Sequence, residues 1–230
     1  MQNLLKQQTI TSSIEDRLPV TIAAHTRRVY DRLASFYHFS TMFFHSKAHQ
    51  CALEQSGVRD GMRVLEVATG SGEMFHRLVK ANPKGATLGL DLSPNMAART
   101  QHRASKRFPD AFARCQAVDA RYLPFRDETF DAVICCYLLE LLSQEDISRT
   151  LSEVRRVLRP HATVTLVLIG QNTEVFNRLY DLAGSLVPAF WGRQIEEKMT
   201  DFLEEQNLRI LHDCVVRQTF YPSRVLTARK

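Results

Sequence analysis

The strongest chemical signal in the 230-residue chain is the run Arg63-Val64-Leu65-Glu66-Val67-Ala68-Thr69-Gly70-Ser71-Gly72-Glu73-Met74. Val64, Leu65 and Val67 suit a strand buried on both faces, which reads as a nearly continuous apolar run. Gly70 and Gly72 permit positive φ and let a ligand approach the backbone. The apolar spacing of Phe75, Leu78 and Val79 starts a helix directly afterwards, and a helix N-terminus offers free N–H groups and the positive end of a dipole. Glu66 is an acid inside the strand, a position that is costly to bury without a partner. The residues therefore predict a ligand-binding turn above an acidic strand end.

Acids recur at the ends of later apolar runs. Asp91 closes Ala86-Thr87-Leu88-Gly89-Leu90-Asp91, at the carboxyl end of a strand where open α/β sheets bind ligands. A carboxylate there can accept both hydroxyls of a ribose. Asp119 lies in Ala117-Val118-Asp119-Ala120, after a third short strand, with Leu123-Pro124-Phe125 following. Phe130-Asp131-Ala132-Val133-Ile134-Cys135-Cys136 is a fourth strand, and Ala162 to Ile169 a fifth. A dinucleotide fingerprint would require a third glycine where the chain has Phe75, which disfavours a nicotinamide oxidoreductase.

Elements alternate between strand and helix, which predicts a doubly wound, Rossmann-like α/β fold with helices on both faces of a mostly parallel sheet. A helix from about Ser46 to Ser56 precedes the first strand. The helix after Asp91 starts at Ser93-Pro94, a cap followed by proline at the first helical position, and stops at Phe108-Pro109-Asp110. Ile147, Leu151 and Val154 give the next helix a buried face. Leu208 to Thr219 and Ser223 to Ala228 read as two final strands joined at Tyr221-Pro222-Ser223.

Composition narrows the class. Apolar residues make up 44% and charged residues 24%, ordinary for a globular domain. No apolar run reaches the ~18–20 residues of a spanning helix. The residues from Met1 to Gln8 lack a signal-like apolar segment, so cytoplasmic location is the default expectation. Five cysteines without C-x-x-C spacing favour neither a disulfide framework nor structural zinc, and no H-E-x-x-H pairing suggests a metal site. Cys135 and Cys136 should face opposite sides of their strand as small core residues. The net charge of +5 is spread, with its densest group at Arg99, His102, Arg103, Lys106 and Arg107, a pattern of a solvated helix face.

The ordered set Glu66/Gly70/Gly72, Asp91, Asp119 and strand four resembles class I S-adenosylmethionine-dependent methyltransferases over roughly residues 58 to 170. Their pattern, acidic-x-Gly-x-Gly-x-Gly, has Ala68 here at its first glycine, and His161 also stands where relatives often have glycine. Tyr30-Asp31-Arg32-Leu33-Ala34-Ser35-Phe36-Tyr37, Ser56-Gly57-Val58 and Leu90-Asp91-Leu92-Ser93-Pro94-Asn95-Met96 further resemble the ubiquinone/menaquinone-biosynthesis C-methyltransferases and the related phospholipid N-methyltransferases.

That resemblance implies a seven-stranded sheet whose last strand is antiparallel. It implies S-adenosylmethionine as cofactor and S-adenosylhomocysteine as product. Glu66 would hold the loop through backbone N–H groups or meet the cofactor ammonium through water, Ala68, Thr69, Gly70, Ser71 and Gly72 would meet the methionine part, and Asp91 the ribose. Leu92 and Met96 would flank the adenine, Asp119 and the Ala120 N–H would meet its edge, and Cys136 and Tyr137 would border the sulfonium. Residues 1–56 would form an N-terminal helical cap or lid on a methyltransferase domain of residues 57–230. Within that domain, 171–202 would be an aromatic-rich insertion after strand five that shapes the acceptor pocket. Tyr30, Tyr37, Tyr180 and Trp191 are the lid and pocket candidates, with a packed core as the plainer reading of the same aromatics.

The expected acceptor is a small or lipid-like molecule, a quinone precursor or a phospholipid head group, with peripheral membrane contact compatible with the basic surface. Methylating a ring carbon needs a base for the ring hydroxyl, and histidine titrates in the right range. His38 and His45 in the lid segment are candidates, and Glu140 after strand four is another. An RNA- or protein-directed methyltransferase rests on charge alone, and Cys136-Tyr137-Leu138-Leu139 lacks an amino-methylation motif. Nucleic acid is therefore not the expected partner. A non-catalytic module that binds S-adenosylmethionine is the reading from a different class.

Overall fold

Val64, Leu65, Glu66 and Val67 are all buried, as a parallel strand covered on both faces requires. The computed structural model describes residues 46–170, 195, 198–218 and 222–230. Its elements begin with α1 (Ser46–Gln55), β1 (Arg63–Val67), α2 (Glu73–Ala81), β2 (Ala86–Asp91), α3 (Pro94–Arg107) and β3 (Phe112–Ala117). There follow β4 (Phe130–Cys136), a 3-10 turn (Leu139–Leu141), α4 (Gln144–Val157), β5 (Leu158–Ile169), α5 (Met199–Glu205), β6 (Arg209–Val216) and β7 (Ser223–Arg229).

The strands form one sheet in the order β3-β2-β1-β4-β5-β7-β6. Pairings among the first five are parallel, and β7 runs antiparallel to both of its neighbours. The expected doubly wound sheet with a reversed last strand is therefore present. The order reverses between β1 and β4, which places a crevice at the carboxyl ends of β1, β2 and β4.

Local sequence explains the boundaries. Ser93 caps α3, its Oγ accepting the Met96 N–H at 3.2 Å with Pro94 next in line. Ser143 caps α4 in the same way through the Asp146 N–H. The third strand ends just ahead of Asp119, as its short apolar stretch suggested. Pairing with β2 stops at Ala117, and Val118 makes one further bond to the Asp91 carbonyl before Asp119 turns away. The fifth strand starts earlier than expected, at Leu158, because a bulge lets it pair with Phe130 before Thr163 meets Ala132.

The sheet separates two cores. On one face Leu65, Val133, Cys135 and Leu166 pack with Ile147, Leu151 and Val154 of α4 and with Leu203 of α5. On the other, Val64, Ile134 and Val167 pack with Ala48 and Ala52 of α1 and with Met74 and Leu78 of α2. Cys135 and Cys136 fall on opposite faces, as strand geometry demands. Of residues 1–56, the described part is α1 with the turn after it. The helix lies directly on the sheet; Thr163 of β5 donates to the Ser56 carbonyl at 2.7 Å. Residues 1–45 and 171–194, which hold the proposed lid and most of the insertion, lie outside the described residues.

Candidate active site

Where β1 ends, the chain turns through two left-handed residues. Ala68 has φ 63 and Gly70 φ 48, and the Thr69 N–H between them donates to the Leu90 carbonyl of β2 at 2.9 Å. Gly70 then donates its N–H to Asp91 Oδ2 at 2.7 Å. Asp91 Oδ1 accepts the Ser93 N–H at 2.9 Å, so one carboxylate joins the loop after β1 to the cap of α3. A side chain built on Gly70 would meet nothing within 4 Å, leaving the backbone open to a ligand. Gly72 serves packing instead. It lies at φ 77 at the start of α2, and a Cβ there would come within 2.7 Å of Thr100 Oγ1 on α3. Arg103, one of the basic residues read as a solvated face, docks on this loop by donating to the Ser71 carbonyl at 2.8 Å.

These turns open one cleft of roughly 1160 Å³, counted out to its mouth. Its wall includes Glu66, Ala68, Thr69, Gly70, Ser71, Asp91, Leu92, Met96, Asp119, Ala120, Cys136 and Tyr137. Gly72 is the one residue of the expected cofactor set absent from the lining. Apolar walls come from Leu92 and Met96 at the start of α3, and from Val118, Leu138, Leu141 and Leu142. A mostly apolar cleft with a few convergent polar groups is the usual form of a small-ligand site.

The electrostatics are uneven. Glu66 is 1% exposed, and its Oε2 has no hydrogen-bond partner among the described residues. Burial, and then the nearby Asp91 charge, push its carboxyl well above the usual range. Asp119 is held differently. Its carboxylate accepts from Arg121 Nη2 at 2.6 Å and from Nε at 3.0 and 3.1 Å, and caps its own turn through the Arg121 N–H. Burial alone would raise this carboxyl, but the Arg121 hydrogen bonds hold it below its usual value. Arg121 also donates to Asp146 Oδ1 on α4 at 3.0 Å, fixing the loop after β3 to that helix.

Glu140 does not line the cleft. It is buried behind the wall, where Oε1 accepts the Ile169 N–H at 2.7 Å and ties the 3-10 turn to the end of β5. The side chains that line the cleft thus leave Glu140 to a structural contact. His38, His45, Tyr30, Tyr37, Tyr180 and Trp191 lie outside the described residues.

One cleft residue carries no sequence motif. His49, on α1 and 5% exposed, faces the cleft with its ring centroid 6.1 Å from that of Tyr137. Tyr137 lies at φ 54, and its hydroxyl is 2.7 Å from Ser223 Oγ at the start of β7. A histidine two turns before a loop gives no spacing signal, and only the packing of α1 brings it to the site. Arg121 likewise gave no signal of its own beside Asp119.

The model of a methyltransferase domain matches residues 64–161. A 2-phytyl-1,4-naphtoquinone methyltransferase from Trichormus variabilis is 30% identical over 61% of this chain and 63% of its own length. A ubiquinone/menaquinone biosynthesis C-methyltransferase from Hahella chejuensis is 30% identical over 74% of both chains. The chain belongs to this family of class I methyltransferases. The methyltransferase shares its fold with the magnesium protoporphyrin IX methyltransferase of Synechocystis, solved with S-adenosylhomocysteine bound, at TM-score 0.64 and 19% identity over 93% of this chain and 89% of the other. Matches to the first relatives span between 53% and 63% of their lengths. Among the described residues, no helix of the methyltransferase is long and apolar enough to cross a membrane.

Proposed function

We propose that the protein transfers a methyl group from S-adenosylmethionine to a ring carbon of a quinone-type acceptor. The observation that carries this reading is the convergence of Glu66, the open Gly70 backbone and Asp91 in one cleft, within a chain of this family. The residues fit the cofactor. The buried Glu66 Oε2 suits an ammonium group, Asp91 suits two hydroxyls, and Leu92 and Met96 suit the faces of a flat ring. When bound, S-adenosylmethionine supplies an already activated methyl group.

The chain's own work is then placement and exclusion of water. Glu66 and Gly70 hold the amino-acid end, and Asp91 the ribose. Asp119, oriented by Arg121, stands at the adenine edge with Ala120, while Cys136 and Tyr137 border the reacting end. In this reading His49, across from Tyr137, takes the acceptor's hydroxyl proton, the role for which His38 and His45 are the sequence candidates. Residues 1–45 and 171–194 are proposed as lid and acceptor wall, with Tyr30, Tyr37, Tyr180 and Trp191 in it. The acceptor class is supported by the names of the relatives, both of which are quinone methyltransferases.

The test is calorimetric titration of S-adenosylmethionine, followed by mass spectrometry of reactions with demethylated quinols and with phospholipids. Saturable binding and a methylated quinol are expected. Absence of binding to wild type would overturn the reading, and methylation of lipid amines alone would replace the acceptor.

A further inference from the structure

Away from the cleft, α1 meets the sheet at a pair of thiols. Cys51 Sγ on α1 and Cys214 Sγ on β6 lie 3.3 Å apart, although 163 positions separate them in the chain. Both side chains are partly exposed and free. Cys115, by contrast, is buried against Thr69, and Cys135 lies within the core. A disulfide needs its sulfurs near 2.05 Å, about 1.3 Å closer than they are. Nothing in the spacing of five scattered cysteines joins residue 51 to residue 214.

We infer that Cys51 and Cys214 form a reversible disulfide that fastens α1 to the outermost strand β6, with a small disulfide such as oxidised glutathione as the oxidant. Cys214, on the edge strand, attacks first. Its thiolate bonds to one sulfur of the oxidant and expels the other half as a thiol. Cys51 then attacks the Cys214 sulfur of the mixed disulfide, loses its proton and releases the second glutathione. Two protein thiols and one oxidant disulfide thus become one protein disulfide and two glutathione thiols, with electrons balanced. Burial, with Cys214 alongside, pushes the Cys51 thiol up to about 12, which fits it as the second rather than the first nucleophile. Disulfides of this kind in reducing compartments are transient and sense redox state.

The consequence concerns the cleft. Cys51 lies two residues beyond His49 on the same helix, so the disulfide fixes the helix that supplies that wall. Fastening segments so distant in sequence also constrains the unfolded chain strongly.

The test uses the full reduced chain incubated with oxidised glutathione. Non-reducing peptide mapping should find Cys51 joined to Cys214 with no retained glutathione. The melting temperature should rise by roughly 5 °C or more and return with dithiothreitol. Cys51→Ser should instead accumulate glutathione on Cys214, and Cys214→Ser should leave Cys51 largely unmodified. Lasting glutathione on wild-type Cys214, a different pairing, or thiols that stay free would each overturn the inference. None of these readouts depends on methyl transfer.

Discussion

Asp91 Oδ2 accepts the Gly70 N–H at 2.7 Å, so the same carboxylate that closes β2 also sets the path of the loop after β1. Replacing it removes a ligand contact and a loop anchor together. Asp91→Ala should weaken S-adenosylmethionine binding by about 100-fold, the scale of one or two charge-assisted hydrogen bonds. Isothermal calorimetry on wild type and variant measures this, and affinity within threefold of wild type would remove Asp91 from the site.

Glu66 gives the folded protein a pH dependence of known sign. Burial raises its carboxyl above the value of 4.5, so the folded state holds a proton that the unfolded chain has lost. Its contribution to stability is complete below that value and falls as pH rises through the raised pKa. Glu66→Gln should flatten this decline and raise the melting temperature at alkaline pH without ligand. The same change should weaken cofactor binding, because glutamine, unlike glutamate, has no proton to give up when an ammonium arrives beside it. Thermal scans between pH 5 and 9, with and without S-adenosylmethionine, read both effects.

Ala68 and His161 occupy left-handed backbone, at φ 63 and φ 67. Both positions therefore suit glycine, which adopts such backbone without a Cβ penalty. Side chains there cost roughly 1–2 kcal/mol, so Ala68→Gly and His161→Gly should each stabilise the protein by about 1 kcal/mol after glycine's own entropy is set against the relief. Chemical denaturation would show it as a higher midpoint with an unchanged slope.

Arg121 holds Asp119 and Asp146 together across the end of the cleft. Arg121→Met should cost about 1 kcal/mol of stability, as these groups are partly solvated. It should also raise the concentration of S-adenosylmethionine needed for half-saturation several-fold. Asp119 would lose the partner that keeps its carboxyl low. Stability that is normally present above pH 3.8 and lost on acidification would then be smaller throughout.

His49→Gln should lower the turnover number by about 100-fold while leaving cofactor affinity within a few-fold, the mark of a lost general base. The rising limb of the pH–rate profile should disappear with it. An unchanged profile would leave His49 as a packing residue against Tyr137.

The frame of the site was readable in the chain because each part obeys a local rule. Apolar runs ended in acids, small residues marked the turn, and Ser93-Pro94 marked a helix start. What escaped was decided by contacts between distant elements. His49 reaches the cleft only because Ala48 and Ala52 dock α1 on the sheet. Glu140 looked available beside β4, yet a strand end 29 positions later claims its Oε1. Gly72 looked like a ligand contact, but its missing Cβ makes room for Thr100. Asp119 is at once a turn cap, through the Arg121 N–H, and a carboxylate lining the cleft.

The position of β7 sets an order on assembly. It is the last strand in sequence, yet it is inserted between β5 and β6 and lies beneath α1. A ribosome that has made everything through Ile169 has therefore produced a sheet with an unpaired edge along Thr163–Ile169 and left α1 without part of its floor. Such edges invite pairing with other chains. Growth of the nascent protein is thus a period of exposure, and the seven residues from Ser223 to Arg229 end it.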